Sequence, residues 1–136
     1  MMGDETMRVS LPGGVRVEAQ YKGFVIKTDQ PAYAGGENSA PSPFDLFLAS
    51  LGTCAGYFVA AFCQERRIPT EGVFLGVRIE RNPKTRMVGK IGIEISLPPD
   101  FPGKYKAAVV KAADQCTVKN HLAQPPAFEI TASLRA

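Results

Sequence analysis

A long uncharged stretch of this chain covers residues 46–63, 18 consecutive positions without Asp, Glu, Lys or Arg. A helix start lies just before it. Ser42 is suited to the N-cap position, Pro43 to the first helical position, and Asp45 stands three residues after the cap. The pattern therefore predicts a long helix over residues 43–66, around which the rest of the chain must pack.

An apolar stretch of this length also meets the length criterion for a membrane-spanning helix. Its many Gly, Ser, Thr and Ala residues, and the amphipathic strands predicted on both sides, favour a central helix buried in a soluble protein instead. Small residues recur along it at Ala49, Gly52, Ala55, Gly56 and Ala60. They leave room for a close neighbour, so we expect this helix to pack on another helix as well as on a sheet.

The remaining patterns predict antiparallel sheets and a second long helix. Apolar and polar residues alternate, as in strands, over residues 7–11, 15–21, 24–28, 72–80, 87–97 and 128–134. Residues 29–43 are rich in Pro and Gly and are predicted as a long loop, whereas residues 104–115 have helical apolar spacing. The predicted fold class is α+β, with antiparallel sheets packed on two long central helices in a single domain over residues 1–136.

The composition is that of an ordinary globular protein and excludes several function classes. Of 136 residues, 45% are hydrophobic and 21% are charged, so neither disorder nor a fibrous repeat is indicated. The formal charge of +3 is small and Lys and Arg are scattered, so we expect no nucleic-acid partner. The first residues carry no basic region followed by an apolar run, and we expect a cytoplasmic protein.

Three cysteines carry the most distinctive chemistry, and an odd number does not make a disulfide framework. Cys54 lies in the first predicted helix, and the apolar stripe of the second predicted helix extends to Cys116. Both would face the interior and could meet. Such a pair suits peroxide reduction, in which one thiolate becomes a sulfenic acid and a second thiol condenses with it. Free cysteines are also common as small buried hydrophobes, so the spacing leaves both interpretations open.

A reactive Cys54 needs a group that stabilises its thiolate. Burial in an apolar environment raises the pKa of a cysteine, and Cys54 is too far from the start of its helix for the helix dipole to act. We therefore expect a cation from elsewhere, with Arg8, Arg16 and Arg78 on predicted strands as candidates. Cys63 falls on the opposite side of the helix from Cys54 and is interpreted as a packing residue.

The sequence predicts no bound cofactor and no metal. His121 is the only histidine, and no Cys-x-x-Cys or His-x-x-x-His spacing accompanies it, so we expect a polar or capping role for its side chain. Gly35 and Gly36 do not stand in a G-x-G-x-x-G pattern directly after a strand. A nucleotide site is therefore not predicted.

Several motifs occur together in this chain. They are Gly35-Gly36, Pro-Ser-Pro-Phe-Asp-Leu over residues 41–46, Ala-Ser-Leu-Gly-Thr-Cys over residues 49–54, and Cys-Thr-Val-Lys-Asn-His-Leu over residues 116–122. With the predicted strand order and the spacing of the two cysteines, they resemble the OsmC/Ohr family, the osmotically inducible and organic hydroperoxide resistance proteins. The resemblance extends over nearly the whole chain.

This resemblance implies an intertwined homodimer that reduces organic hydroperoxides at a site built by both subunits. It implies that Cys54 is the peroxidatic cysteine, that Cys116 is the resolving cysteine, and that an external dithiol is the reductant. Asp45 falls where many OsmC-like members have a glutamate. The best characterised Ohr and OsmC members have their catalytic glutamate one place earlier, where this chain has Phe44. The chain is therefore similar to a divergent OsmC-like branch.

Two functions remain open on this scaffold. The first is a thiol peroxidase that uses Cys54, Cys116 and Asp45. The second is a protein without catalytic activity, either a redox sensor or a protein that binds a small hydrophobic ligand. We expect neither a nucleic-acid partner nor a membrane partner for either function.

Overall fold

The computed structural model describes residues 5–135, which form two compact units. The first unit ends at Ala49 and the second begins at Ser50, so the boundary falls within helix α1 (Pro43–Glu65). The fold is α+β with small antiparallel sheets, as the sequence predicts. The assignment of residues 1–136 to a single domain stays a prediction.

The first unit contains a three-stranded antiparallel sheet in the order β1 (Arg8–Gly13), β2 (Arg16–Tyr21) and β3 (Phe24–Thr28). Lys22 and Gly23 connect β2 to β3 with φ angles of 52° and 83°. A two-residue turn with both φ angles positive matches the right-handed twist of the two strands it joins, which explains the tight hairpin. The meander predicted from the alternating residues is confirmed.

The second unit contains the antiparallel hairpin of β4 (Phe74–Arg81) and β5 (Val88–Ser96), also as predicted. Leu75 lies opposite Ile95, and Val77 lies opposite Ile93. Leu75 and Ile95 are partly buried against the core. That core contains seven buried residues from α1, from Phe101 and from the helix that follows: Ala55, Val59, Phe62, Cys63, Phe101, Val109 and Ala113.

Helix α1 begins as the sequence predicts, because the Asp45 amide donates a hydrogen bond of 3.2 Å to the Ser42 hydroxyl. The helix has 23 residues and is long and apolar enough to cross a membrane by length and composition alone, a test that the core helix of a soluble protein also passes. The expectation of burial on all sides is wrong for the single chain. Burial follows one stripe, and Tyr57 on another side is 64% exposed.

Two glycines of α1 allow a strand, not a helix, to approach closely. A Cβ atom added at Gly52 would lie 2.9 Å from Val77 Cγ2, and one at Gly56 would lie 4.0 Å from Leu75 Cδ1. Both contacts are with β4. Ala55, by contrast, belongs to the same buried core as residues of the following helix. The small residues of α1 therefore serve contacts with a sheet first, and a contact with a helix second.

The predicted second long helix is short and interrupted. Helix α2 (Lys106–Ala113) has eight residues, and a separate seven-residue helix, α3 (Thr117–Ala123), follows it. Between them Cys116 has φ −50° and ψ 117°, outside the helical region, because it begins a new helix as its N-cap. Within residues 5–135, α1 is thus the one long helix, and the prediction of two long central helices is not met.

The predicted closing strand over residues 128–134 is wrong for the described part of the chain, which has no regular secondary structure there. Phe128, Ile130 and Leu134 are 86%, 94% and 102% exposed. An alternating pattern records how side chains would lie on a pleated strand, but a strand forms only when a neighbour pairs with its backbone. In the second unit, β4 and β5 pair with each other and this segment stays apart.

Candidate active site

Cys54 lies in the middle of α1 and is partly exposed, whereas Cys116 is buried. The Cys116 sulfur accepts a hydrogen bond of 3.4 Å from the Lys119 amide, and its thiol donates to the Leu51 carbonyl at 3.9 Å. Leu51 is one helical turn before Cys54. The sulfur of Cys116 therefore attaches the start of α3 to the turn of α1 that carries Cys54.

The two predicted site cysteines are brought together in the second unit. Their side chains lie within hydrogen-bonding reach of each other, so the single S–H of Cys116 is shared between the Leu51 carbonyl and Cys54, and both cysteines are free thiols. The sequence predicted that the two cysteines could meet, but one reason for that prediction is wrong. Cys116 does not continue the apolar stripe of α2 and instead caps the next helix. Its buried position is nevertheless as predicted.

The surroundings of Cys54 lower the pKa of its thiol. The largest cause is a hydrogen bond from the backbone of Val118; hydrogen bonds from the Cys116 side chain and from the backbone and hydroxyl of Thr117 act in the same direction. Burial opposes them and raises the pKa. Donors aimed at the sulfur favour its charged form, so the net effect is a thiol that ionises more readily.

The expected cation is not among the groups that lower the pKa of Cys54. Arg16 donates to the Gly13 carbonyl in its own hairpin at 3.3 Å, and Arg78 pairs with Glu80 on its own strand, also at 3.3 Å. Arg8 is an exposed residue of the first unit. Neutral donors in the first turn of α3 have the role that was expected of an arginine, which is to stabilise the Cys54 thiolate. They can do so because several aligned N–H and O–H groups also stabilise an anion.

Asp45 belongs to the first unit, whereas the two thiols belong to the second. It lies in the first turn of α1 and is exposed, and its amide is occupied by the Ser42 cap. A carboxylate in a first turn is stabilising in itself, because it lies near the positive end of the helix dipole. The structure therefore accounts for Asp45 locally, and its predicted catalytic role remains to be tested.

Cys63 and His121, which were also considered from the sequence, have local structural roles. Cys63 is fully buried in the core, where burial raises the pKa of its thiol, as expected for a packing residue. The His121 ring contacts the Thr117 carbonyl with its Nδ1 at 2.8 Å. Within residues 5–135, no group of three or more His, Cys, Asp or Glu side chains is arranged to hold a metal ion.

An open cleft of about 1110 Å³ lies beside Cys116, between the β4–β5 hairpin and helices α2 and α3. Its floor is apolar and includes Val77, Ile93 and Val109, and its rim carries Lys and Asp or Glu side chains. A cleft with an apolar floor and a charged rim is suited to an amphipathic or apolar small molecule. This cleft was not predicted, because it depends on how the hairpin and helices meet.

Thr117 and Val118 are functional candidates that sequence reasoning missed. They stand directly after Cys116 in the recognised motif, but only the contact of α3 with α1 directs their donors at Cys54. The sequence gives no clear signal for them, because the apolar stripe that extends to Cys116 conceals the helix break. That break places residues 117 and 118 in a first turn, where amides lack helical partners.

Three comparisons relate this chain to known proteins. The family model described as OsmC-like protein matches residues 36–131. No curated protein matches the chain at a significant level.

Solved structures of the same fold come from several bacteria. A candidate osmotic stress induced and detoxification response protein from Psychrobacter arcticus 273-4 is 24% identical, with a TM-score of 0.73 over 88% of this chain and 89% of that one. An OsmC-like protein from Mycoplasma pneumoniae is 15% identical, with a TM-score of 0.68 over 92% and 91%. An organic hydroperoxide resistance protein OsmC from Legionella pneumophila is 22% identical, with a TM-score of 0.52 over 89% and 91%.

At these identities the solved structures show a shared fold, and the match to the family model covers most of the chain. The match begins at the second glycine of the Gly35-Gly36 motif and includes both Cys54 and Cys116. The resemblance noted in the sequence is thereby confirmed, and the chain belongs to the OsmC/Ohr family.

Proposed function

We propose that this protein is a thiol peroxidase that reduces organic hydroperoxides, with Cys54 as the peroxidatic and Cys116 as the resolving cysteine. One observation carries the proposal: the Cys54 thiol has a lowered pKa and shares a hydrogen bond with a second free thiol. A thiolate is the nucleophile that attacks a peroxide, and a neighbouring thiol is what converts the product to a disulfide. Family members named for organic hydroperoxide resistance support the substrate class.

The reaction balances with these two residues and one hydroperoxide. The Cys54 thiolate attacks the terminal oxygen of ROOH; the O–O bond breaks, and the departing alkoxide takes a proton to become an alcohol. Cys54 is then a sulfenic acid. Cys116 attacks the Cys54 sulfur, the S–S bond forms, and the displaced hydroxide leaves with the proton of Cys116 as water. An external dithiol reduces the disulfide by thiol–disulfide exchange.

The proposal includes a homodimer in the cytoplasm, where a dithiol reductant is available. The exposed side of α1 and the exposed segment over residues 128–134 supply apolar surface for a second copy. In such a dimer the exposed Asp45 carboxylate belongs to the site and helps to position the hydroperoxide.

The direct test follows cumene hydroperoxide consumption in the presence of dithiothreitol. Wild-type protein and Cys63→Ala should consume it at similar rates, because Cys63 belongs to the core and not to the thiol pair. Cys54→Ser should reduce the rate to that of dithiothreitol alone, and Cys116→Ser should leave a Cys54 sulfenic acid that dimedone traps. Equal rates for wild type and Cys54→Ser would exclude the peroxidase function.

A second candidate function is favoured by the cleft beside Cys116. Its apolar floor and volume of about 1110 Å³ suit a small hydrophobic ligand, with the cysteines recording oxidation only. A fluorescent fatty-acid analogue serves as the probe. Saturable binding that is retained in Cys54→Ser and lost in Val110→Glu, at the cleft wall, would favour this function if the peroxidase assay is negative.

A further inference from the structure

The first turn of α3 is held by two sulfur atoms. The Cys116 sulfur caps the helix by accepting from the Lys119 amide at 3.4 Å, and its thiol donates to the Leu51 carbonyl at 3.9 Å. The Cys54 sulfur accepts from the donors of Val118 and Thr117. The orphan amides at the start of this helix are therefore bound by the groups that the proposed reaction consumes.

Little else stabilises α3. It has seven residues, none of them buried, and the described residues after it are exposed and have no regular secondary structure. Isolated helices shorter than about 12 residues are marginal in water, so a helix of this length depends on its tertiary contacts and caps. Exposed contacts, such as that between Lys119 and Asp114, contribute little. The sulfur contacts thus attach α3 to α1 at a point where a short helix depends on such contacts.

Oxidation changes both sulfurs. Formation of a disulfide between Cys54 and Cys116 removes two electrons from the pair, together with two protons from two thiols or one proton from a thiolate and a thiol. It leaves neither a thiolate nor an S–H group. Cys116 can then no longer donate to Leu51, and its sulfur must move to the S–S bond length of about 2.05 Å from the Cys54 sulfur, which disturbs its contact with the Lys119 amide. The Cys54 sulfur, now bonded to Cys116, is a weaker acceptor for the donors of Val118 and Thr117.

We propose that formation of the Cys54–Cys116 disulfide uncaps α3, so that this helix and the segment after it are released from α1 in the oxidised protein. The consequence is a redox-responsive surface: reduced protein presents an ordered α3, and oxidised protein presents a mobile segment that carries the exposed Leu122 and Phe128. Such a segment is a means by which a reductant could distinguish the oxidised form from the reduced form. The inference rests on the disulfide of the proposed function but not on peroxidase activity.

Hydrogen exchange measured by NMR tests it. The disulfide is formed with diamide, an azo oxidant that takes up the two electrons and two protons of the thiol pair and becomes a hydrazine. In the full-length protein, exchange of the Lys119 and Asn120 amides should become about tenfold faster on oxidation, as for loss of a helix cap. The Val59 amide, in the core part of α1, serves as the internal reference. Unchanged exchange at Lys119 in fully oxidised protein would overturn the proposal, as would failure of diamide to form the disulfide.

A matched pair of variants separates capping from oxidation. Cys116→Ser keeps a good N-cap but cannot form the disulfide, so exchange in α3 should stay slow before and after diamide. Cys116→Ala lacks the cap and should show fast exchange without any oxidant. Equal protection in these two variants would overturn the proposal. If α3 responds to diamide but no hydroperoxide is consumed, the proposed enzyme function fails while this inference stands.

Discussion

Two regions of the molecule surround an acidic side chain with hydrogen-bond donors, one at Asp29 and one at Cys54. Asp29 is 1% exposed; its carboxylate accepts from the Gln30 amide at 2.8 Å, the Glu37 amide at 3.2 Å, and the Ser39 amide and hydroxyl at 3.0 Å and 2.5 Å. These bonds hold the pKa of Asp29 at about 2. Cys54 also has four donors, from Val118, Cys116, and the backbone and hydroxyl of Thr117, but it is partly exposed.

The same arrangement, an acidic side chain surrounded by hydrogen-bond donors, stabilises a loop at Asp29 and favours reactivity at Cys54. At Asp29 the donors all come from one loop that closes over the carboxylate. The negative charge therefore stabilises that loop and is buried away from solvent. At Cys54 the donors come from a short helix that reaches α1 from far along the chain, and the sulfur stays accessible. An anion that is stabilised yet still accessible can react.

The largest effect is expected where the Asp29 loop closes. A Cβ atom added at Gly36 would lie 1.9 Å from the Gln30 carbonyl oxygen and 2.7 Å from Asp29 Oδ1. Gly36→Ala should therefore lower the free energy of unfolding by about 3 kcal/mol or more, measured by urea denaturation. Gly103→Ala, where nothing lies within 4 Å of the added atom, is the matched control. Equal stability of the two variants would show that the loop is not tightly closed.

The charge of Asp29 should make stability depend on pH in acid. Its pKa is lowered from 3.8 to about 2 in the folded protein, so its stabilisation is present above about pH 4 and is lost as the pH falls through about 2. Asp29→Asn should lower the melting temperature by several degrees at pH 7, and its difference from wild type should shrink between pH 4 and pH 2. Asp100→Asn, at an exposed carboxylate, should be nearly neutral throughout. A pH-independent difference between Asp29→Asn and wild type would contradict this role.

The pKa and the alkylation rate of the Cys54 thiol should depend on the hydroxyl of Thr117. Removing that donor in Thr117→Val should raise the pKa of Cys54, because one hydrogen bond to the thiolate is lost. Iodoacetamide alkylation of Cys54 near neutral pH should slow by about threefold, and its pH profile should shift to higher pH. Thr117→Ser keeps the hydroxyl and should behave like wild type. A slow rate in Thr117→Ser as well would indicate that packing, and not hydrogen bonding, is responsible.

The smallest effects are expected at the two glycines of α1. Gly56→Ala should stabilise the protein by about 0.5–1 kcal/mol, because alanine favours the helix and the new atom lies 4.0 Å from Leu75. Gly52→Ala should lose this gain, because the new atom lies 2.9 Å from Val77 Cγ2 and that side chain must shift. Thermal unfolding compares them directly. Greater stability of Gly52→Ala would show that β4 is not held close to α1.

Much of the fold could be predicted because its signals are local. The alternation over residues 87–97 reflects a face of β5 that meets the core, and Ser42 caps α1 through a bond only three residues long. The same reasoning failed for residues 128–134, where the alternation is as clear but no strand forms. Strand pairing depends on a neighbour that alternation cannot specify. It also failed at Cys116, where an apolar stripe concealed a break between two helices.

Most elements of this protein, its family and the two cysteines worth testing can be predicted from the amino-acid sequence alone. Periodicity, caps and turns act over a few residues, and a motif is readable wherever its residues stand. What surrounds Cys54 depends on the tertiary structure. Two of its hydrogen-bond donors are backbone groups of residues 117 and 118, which any sequence could supply there, and the others are the side chains of Thr117 and Cys116. All of them act on the thiol only because α3 packs against α1.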